Sequence, residues 1–477
     1  MVSAEYAPLA KTGGLADSVA GLSQALHARG HDVRVVLPSF GRPLPAGWSA
    51  SPLNGAADAG FLEARSGDSG PVVYLLDAPE VTGDGEIYTG DERDAARFCR
   101  FCRGALELAQ ALDWRPDVVH CHDWHAAPVT ALMRTAAEPS PFAAARSMLT
   151  LHNIGYQGAF PRAVLEGGGC KQLVETAGDD DLAAGLVVFL KIGIRHADLI
   201  TTVSPTYARE ILTPEQGMGL EELLQQRGDD LVGILNGVDY RLWSPESDPY
   251  IEPSYGRGET AGKRRVKRAL CEGLGLPDDA PVIGVVTRLV EQKGLDLLVD
   301  ALPTLLERTR ARFALLGSGE PALEDALHGL AGKHLARIAF RRGYDEALAH
   351  RILAGSDLLL VPSRYEPCGL TQLYALRYGT IPVVRATGGL ADTVAHFDPE
   401  TGEGTGSVFE HADPEGLIWG VTTALDWYDD APSWRRLMDN AMRADYSWER
   451  QAEPYEALYQ RLLGRTKKKP RRPTTGP

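Results

Sequence analysis

The chain has 477 residues, with 49 Lys and Arg against 64 Asp and Glu for a formal charge of −15, and is 44% hydrophobic and 24% charged. That length implies two or three domains with full cores, and the ordinary composition excludes a disordered or fibrous chain. The acidic balance argues against a nucleic-acid binder, no apolar run reaches the roughly 18 residues of a membrane span, and the first residues lack the order of a signal peptide, so a cytoplasmic protein is expected.

In chain order, the first motif is Lys11-Thr12-Gly13-Gly14-Leu15. Its glycines let backbone approach an anion and its lysine adds a point charge, but the spacing is neither a P-loop nor a dinucleotide fingerprint. Strands are predicted at 33–37, 72–76, 118–121, 148–152, 199–203 and 232–235, then at 282–286, 313–316, 358–361 and 381–384. Most are continuous apolar runs, as for parallel strands buried on both faces. Helical patterns separate them, which predicts doubly wound α/β domains. The stretch 236–262, rich in Pro, Gly, Tyr and charge, marks the boundary between two such series.

A helix is predicted at 94–112. It carries Cys99 and Cys102, read as small residues on its face rather than a redox or zinc pair, and the six cysteines as no disulfide framework. The strand at 118–121 leads into His120-Cys121-His122-Asp123-Trp124-His125. A metal is one reading. Alternation along an extended segment separates His120 and His122 from Cys121 and Asp123, which favours polar lining of a substrate cleft. His152-Asn153-Ile154-Gly155-Tyr156-Gln157-Gly158 follows the next strand, where a histidine suits a sugar hydroxyl or is simply a satisfied loop residue. Asp179-Asp180-Asp181 spells a possible cation grip, but helix capping and dipole complementarity are preferred.

In the second half, Thr287-Arg288-Leu289-Val290-Glu291-Gln292-Lys293-Gly294 joins a strand to a helix. Arg288 and Lys293 suit a diphosphate there, or are solvated surface charges. Ser363-Arg364-Tyr365-Glu366-Pro367-Cys368-Gly369-Leu370-Thr371 follows the strand at 358–361, and its Pro and Gly force an irregular turn before a helix. Glu366 beside that turn suits neutral hydroxyls or a developing cation better than a phosphate. Thr12-Gly13-Gly14-Leu15-Ala16-Asp17-Ser18-Val19 recurs as Thr387-Gly388-Gly389-Leu390-Ala391-Asp392-Thr393-Val394, identical at seven of eight positions. Two anion-facing helix N-termini are the favoured reading of that echo. A helix at 447–463 precedes a basic run from Arg465, read as a solvated disordered tail.

Eight blocks taken in order (11–15, 122–126, 152–158, 204–208, 235–239, 287–294, 366–372 and 387–394) resemble bacterial glycogen synthases and plant starch synthases. The likeness runs over about residues 1–460, and the Lys-x-Gly-Gly-Leu loop and Glu-Pro-Cys-Gly-Leu-Thr-Gln are its most specific parts. It implies an α/β fold of two facing Rossmann-like domains with a deep cleft, the GT-B arrangement, divided as 1–238 and 239–446, with the helix 447–464 returning to the first domain. It implies retaining transfer of glucose from ADP-glucose to the non-reducing 4-hydroxyl of an α-1,4-glucan, with no metal and no other cofactor. By motif position Lys11, Gly13, Gly14, Arg288, Lys293 and the turn Gly369-Leu370-Thr371 would meet the donor diphosphate, and Tyr344 would meet adenine. Asp123, His152 and Glu366 would surround the glucosyl unit with Cys368 beside them, and Asn236 would join the substrate set. Glu366 is either an electrostatic stabiliser or a nucleophile. A UDP-glucose transferase, a phosphorylase, a non-catalytic glucan-binding relative and a nicotinamide oxidoreductase are the alternatives. The chain opens at Met1-Val2-Ser3, short of the family's usual first strand, so either the start is late or the first strand is short.

Overall fold

The computed structural model describes residues 1–53, 60–67, 70–83, 85–135, 140–167 and 170–464. The basic run from Arg465 onward lies outside the described residues. Contacts divide the chain into one unit of Met1–Thr202, Gly217–Ile234 and Gln451 onward, and a second of Val203–Gln216 and Leu235–Arg450.

In the first unit the apolar runs become β1 (Arg34–Pro38), β4 (Val72–Leu76), β5 (Val118–His122), β6 (Arg146–Leu151), β9 (Leu199–Thr202) and β10 (Leu231–Gly233). Between β1 and β4 lie two strands the periodicity does not reveal, β2 (Trp48–Pro52) and β3 (Phe61–Ser66), which pair antiparallel. β7 (Ala159–Pro161) and β8 (Leu186–Val188) form a separate antiparallel pair. The ladders run β1-β4-β3-β2 and β10-β9-β6-β5.

Three residues join those two ladders. Val2 donates to the His120 carbonyl at 2.8 Å and accepts from His122 at 3.0 Å, while Ser3 donates to the Val36 carbonyl at 3.1 Å and Met1 accepts from the Val36 amide at 2.9 Å. Val2 therefore bridges in parallel to both β5 and β1. This stub is short and still occupies the centre of the sheet. The chain leaves it toward β1 on one side and later β5 on the other, which is a topological switch point.

The second unit holds β11 (Val282–Val286), β12 (Arg312–Gly317), β13 (Ile338–Arg342), β14 (Leu358–Val361), β15 (Ile381–Arg385) and β16 (Ser407–Phe409). They are all parallel, in the order β13-β12-β11-β14-β15-β16. Counted from β11, this is the 3-2-1-4-5-6 order of a Rossmann sheet, with its switch point between β11 and β14. Phe313, Leu358 and Val383 are fully buried on the sheet against Leu298, Leu302 and Val421 of the flanking helices. Each such side chain contributes about 1.5–3 kcal/mol on burial. β13 ends in two arginines and β16 has three residues, so neither reads as an apolar run.

Two features differ from the sequence reading. The segment 203–216 belongs to the second unit, because Thr206 donates its amide and hydroxyl to Asp392 at 2.7 Å each and Glu210 accepts from Thr387 and Gly388. Cys99 is not an inert helix residue but is disulfide-bonded to Cys170. The two lie 71 residues apart, a pairing that sequence spacing does not reveal. Cys102 stays free and buried, with its thiol on the His125 carbonyl at 3.1 Å.

The last helix, Trp448–Leu463, is held to the first unit by polar contacts as well as by packing. Tyr459 bonds His120 Nδ1 at 2.8 Å, Glu456 takes Arg29 and His31, and Arg461 donates to the Asp229 carbonyl. Within the second unit, the buried Lys263 of helix Thr260–Leu274 donates to the Ala354 and Tyr378 carbonyls and to the Thr380 hydroxyl. All three acceptors are neutral, and burial pushes its ammonium down to about 7.

Candidate active site

The residues singled out in the first unit follow neighbouring parallel strands at their carboxyl ends, where open α/β sheets bind ligands. Lys11, Gly13 and Gly14 follow the central stub, Asp123 follows β5, and His152 follows β6. Asp123 begins a short helix with φ of +56°, a left-handed conformation that an aspartate adopts only when its surroundings hold it. Its Oδ1 accepts the amides of His152 at 2.6 Å and Asn153 at 3.4 Å, so one carboxylate clamps the ends of two strands together. Burial raises its carboxyl to about 7 against the pull of those two bonds. His152 is pushed down to about 3 by burial and is therefore neutral at pH 7.

The glycine loop is built on a buried glutamate. Glu5 accepts the Thr12 amide and hydroxyl at 2.7 Å each, the Gly13 amide at 3.2 Å and the Tyr88 hydroxyl at 2.6 Å. A carboxylate thus holds the loop before helix Gly14–Ala28, whose own first-turn amides have no intrahelical partner. The space where a Gly13 Cβ would stand is open, so this backbone is approachable. Lys11 reaches Asp17 on the same helix at 2.8 Å.

The histidine cluster does not line an open surface. His120, His122 and His125 are buried, and burial pushes all three well below the usual imidazole range. His120 is held by Tyr459 and Thr150, and His125 stacks on Tyr88 with ring centroids 4.8 Å apart. Among the described residues no cluster of three His, Cys, Asp or Glu could hold a metal ion. Asp181 of the acidic triplet is buried and pairs with Lys191 at 2.7 Å and Arg195 at 3.1 Å.

In the second unit the corresponding groups gather at the switch point of its sheet. Lys293, in the turn after β11, places Nζ 2.6 Å from Glu366 Oε2, in the turn after β14. Ser363 donates to the same oxygen at 2.8 Å. Both bonds fall on Oε2, and Oε1 accepts none among the described residues. Gly294, at φ of +64°, lets this happen, since a Cβ there would meet the Pro362 carbonyl at 2.2 Å. Arg288 is exposed in the same connection, and Tyr344 after β13 is 77% exposed. Cys368 is buried, and burial raises its thiol to about 12 although Asn236 donates to the sulfur. The Asn236 side-chain oxygen is buried without a partner among the described residues. Gly369 and Leu370 lead into the helix Thr371–Arg377, which has no side-chain cap.

The second copy of the glycine motif is not an anion seat like the first. Gly388 donates to the Glu210 carboxylate at 3.0 Å, and Gly389 donates to the Glu366 carbonyl at 3.0 Å. A Cβ at either glycine would meet the backbone of the Glu366 turn at about 2 Å, so this copy buttresses Glu366. Glu5 and Glu210 play matching parts, each gripping its Thr-Gly pair. Neither stands inside the repeat, and no local signal marks them.

Residues 1–226 match the family model described as the starch synthase catalytic domain, and residues 266–441 match glycosyl transferases group 1. Glycogen synthase of Anaeromyxobacter dehalogenans is 46% identical over 471 residues, covering 97% of this chain and 98% of its own. The chain belongs to the glycogen synthase family. Glycogen synthase 2 of Geobacter sulfurreducens is 43% identical over 96% of this chain and 97% of its own. The catalytic domain of starch synthase IV from Arabidopsis thaliana, solved with ADP and acarbose, has a TM-score of 0.89 and 35% identity, covering 97% and 99% of the two chains. Sucrose-phosphate synthase from Thermosynechococcus elongatus, at 19% identity, TM-score 0.61 and coverage of 97% and 98%, shares the fold. This glycogen synthase family member is a glycosyltransferase built on two Rossmann-like sheets, the GT-B fold. None of its described helices is long and apolar enough to cross a membrane.

Proposed function

We propose that the protein is a cytoplasmic glucosyltransferase that moves glucose from ADP-glucose to the non-reducing 4-hydroxyl of an α-1,4-glucan, with retention and without a metal. The observation that carries this reading is the Lys293–Glu366 pair at the switch point of the second sheet, in a chain 35% identical to a starch synthase solved with ADP and acarbose. In the reaction the bond from the anomeric carbon to the diphosphate oxygen breaks and the bond to the acceptor oxygen forms. The acceptor's proton passes to the departing phosphate, so no strong protein base is needed.

Negative charge growing on ADP is met by Arg288, Lys293, Lys11, the Gly13 and Gly14 backbone and the amides at Leu370 and Thr371. Adenine packs on the exposed ring of Tyr344. Asp123, His152 and Glu366 surround the glucosyl unit, with Asn236, Cys368 and Gly369 shaping its seat. Glu366 acts through the charge on its unshared Oε1, because Lys293 and Ser363 already hold Oε2 and blunt it as a nucleophile. The test is transfer of radiolabel into glycogen from ADP-glucose and from UDP-glucose, each with and without chelator. Incorporation from ADP-glucose that survives chelation is expected. Preference for UDP-glucose overturns the donor, abolition by chelator overturns the metal-free mechanism, and no incorporation from either donor overturns the enzyme reading.

A further inference from the structure

His122 and His152 project from the ends of adjacent strands, and His122 Nδ1 lies 3.1 Å from His152 Nε2. One of these nitrogens carries a proton and the other a lone pair. The far nitrogen of His122 decides which. His122 Nε2 is buried and has no partner among the described residues. A proton there would leave an N–H donor orphaned in the interior, whereas a bare lone pair is the cheaper orphan. The His122 proton therefore sits on Nδ1 and is donated to His152 Nε2. That nitrogen is then an acceptor, and the proton of the neutral His152 ring must be on Nδ1.

The His152 ring is pinned at both ends. Its backbone amide is fixed on Asp123 Oδ1 at 2.6 Å, and its Nε2 is fixed on His122. His152 is only partly buried, and its Nδ1 has no partner among the described residues. We propose that His122 is a positioning residue for the transfer. It locks His152 in the Nδ1–H tautomer, so that a preset N–H donor faces a hydroxyl of the bound sugar. The inference rests on the reading of His152 as a sugar contact given above. A donor of fixed tautomer needs no proton rearrangement when the sugar arrives.

The test uses the full-length protein labelled with 15N-histidine, with the His152 ring signals assigned by comparison with His152→Ala. In the wild type His152 Nδ1 is expected at the protonated-type shift and Nε2 at the bare-type shift. In His122→Phe, which keeps ring volume but removes the donor, the His152 signals are expected to move toward the other tautomer or an average. kcat for glucosyl transfer is expected to fall about 10–100-fold, the scale on which partners that orient a working histidine matter, with little change in KM for glucan. His122→Asn, whose amide can donate from nearly the same place, is expected to restore most of both signals. His122→Leu, which is smaller and also lacks the donor, is the variant to measure if the phenylalanine disturbs folding. A wild-type His152 protonated on Nε2, or a tautomer unmoved by His122→Phe, overturns the proposal. Full activity in His152→Ala overturns the sugar-contact reading instead, whatever the tautomer.

Discussion

Lys293 Nζ and Ser363 Oγ both bond Oε2 of Glu366, at 2.6 and 2.8 Å, leaving the second oxygen of that carboxylate uncommitted. One oxygen fixes the side chain in place and the other is available to a substrate. Glu366→Gln keeps the shape and loses the charge. Transfer is expected to fall ~10²–10³-fold, as for one lost electrostatic contact, without vanishing. Steady-state kinetics measure that loss. Mass spectrometry of the wild type with a slow donor analogue checks the alternative, since a glucose-sized adduct on the Glu366 peptide at a competent rate would make it the nucleophile.

Lys11→Ala, Arg288→Ala and Lys293→Ala are each expected to weaken transition-state binding by about 2–4 kcal/mol, mostly in kcat, because charge on the leaving ADP grows along the reaction. Lys293→Ala is expected to be the worst of the three, since it also leaves the buried Glu366 without its cation. kcat/KM for ADP-glucose measures this. Near wild-type values for all three would place the diphosphate elsewhere.

The buried ammonium of Lys263 predicts a pH effect on stability. Its folded pKa of about 7 lies below the ordinary lysine value of 10.5. Between those values the unfolded chain binds the proton and the folded chain does not, so this group makes stability rise with pH across that window. Below pH 7 its full penalty applies. In Lys263→Met the Ala354 and Tyr378 carbonyls keep the Tyr255 hydroxyl as donor. The stability of the wild type minus that of Lys263→Met is therefore expected to increase by up to roughly 4 kcal/mol from pH 7 to 10. Urea unfolding of both proteins at several pH values measures it, and a flat difference refutes it.

Closing a 71-residue separation, the Cys99–Cys170 bond is expected to add about 2–4 kcal/mol to folding. Reductant or Cys170→Ser should lower the unfolding midpoint, and alkylation followed by peptide mass should protect both cysteines until reduction. If both alkylate in the folded, unreduced protein, the bond is not formed in solution.

The long buried strands were legible because continuous apolar runs report burial on both faces. β13 and β16 were not, since one ends in exposed arginines and the other is three residues long. The glycine motifs were visible as a repeat, but the Glu5 and Glu210 carboxylates that hold them were not. Glu210 is 177 residues from Thr387, and Glu5, although only seven residues before Thr12, stands outside any periodic pattern. His122 shows the same limit. The alternation rule placed it correctly beside His120, but the His152 ring it touches lies on another strand. Segment 203–216 reads as part of the first domain because the strand before it lies there, while its hydrogen bonds go to Asp392 and Gly388.

The chain passes between its two units four times, at 202–203, 216–217, 234–235 and 450–451. On the ribosome, the first unit is therefore both the first to begin emerging and the last to be finished. Until residues near Tyr459 leave the exit tunnel, His120 lacks its Tyr459 partner and the surface meant for the last helix stays uncovered. Cutting the gene at the apparent boundary near residue 235 yields an incomplete first half, prone to aggregate, rather than an independent domain. Any effort to express the halves separately has to graft the final helix onto the N-terminal piece.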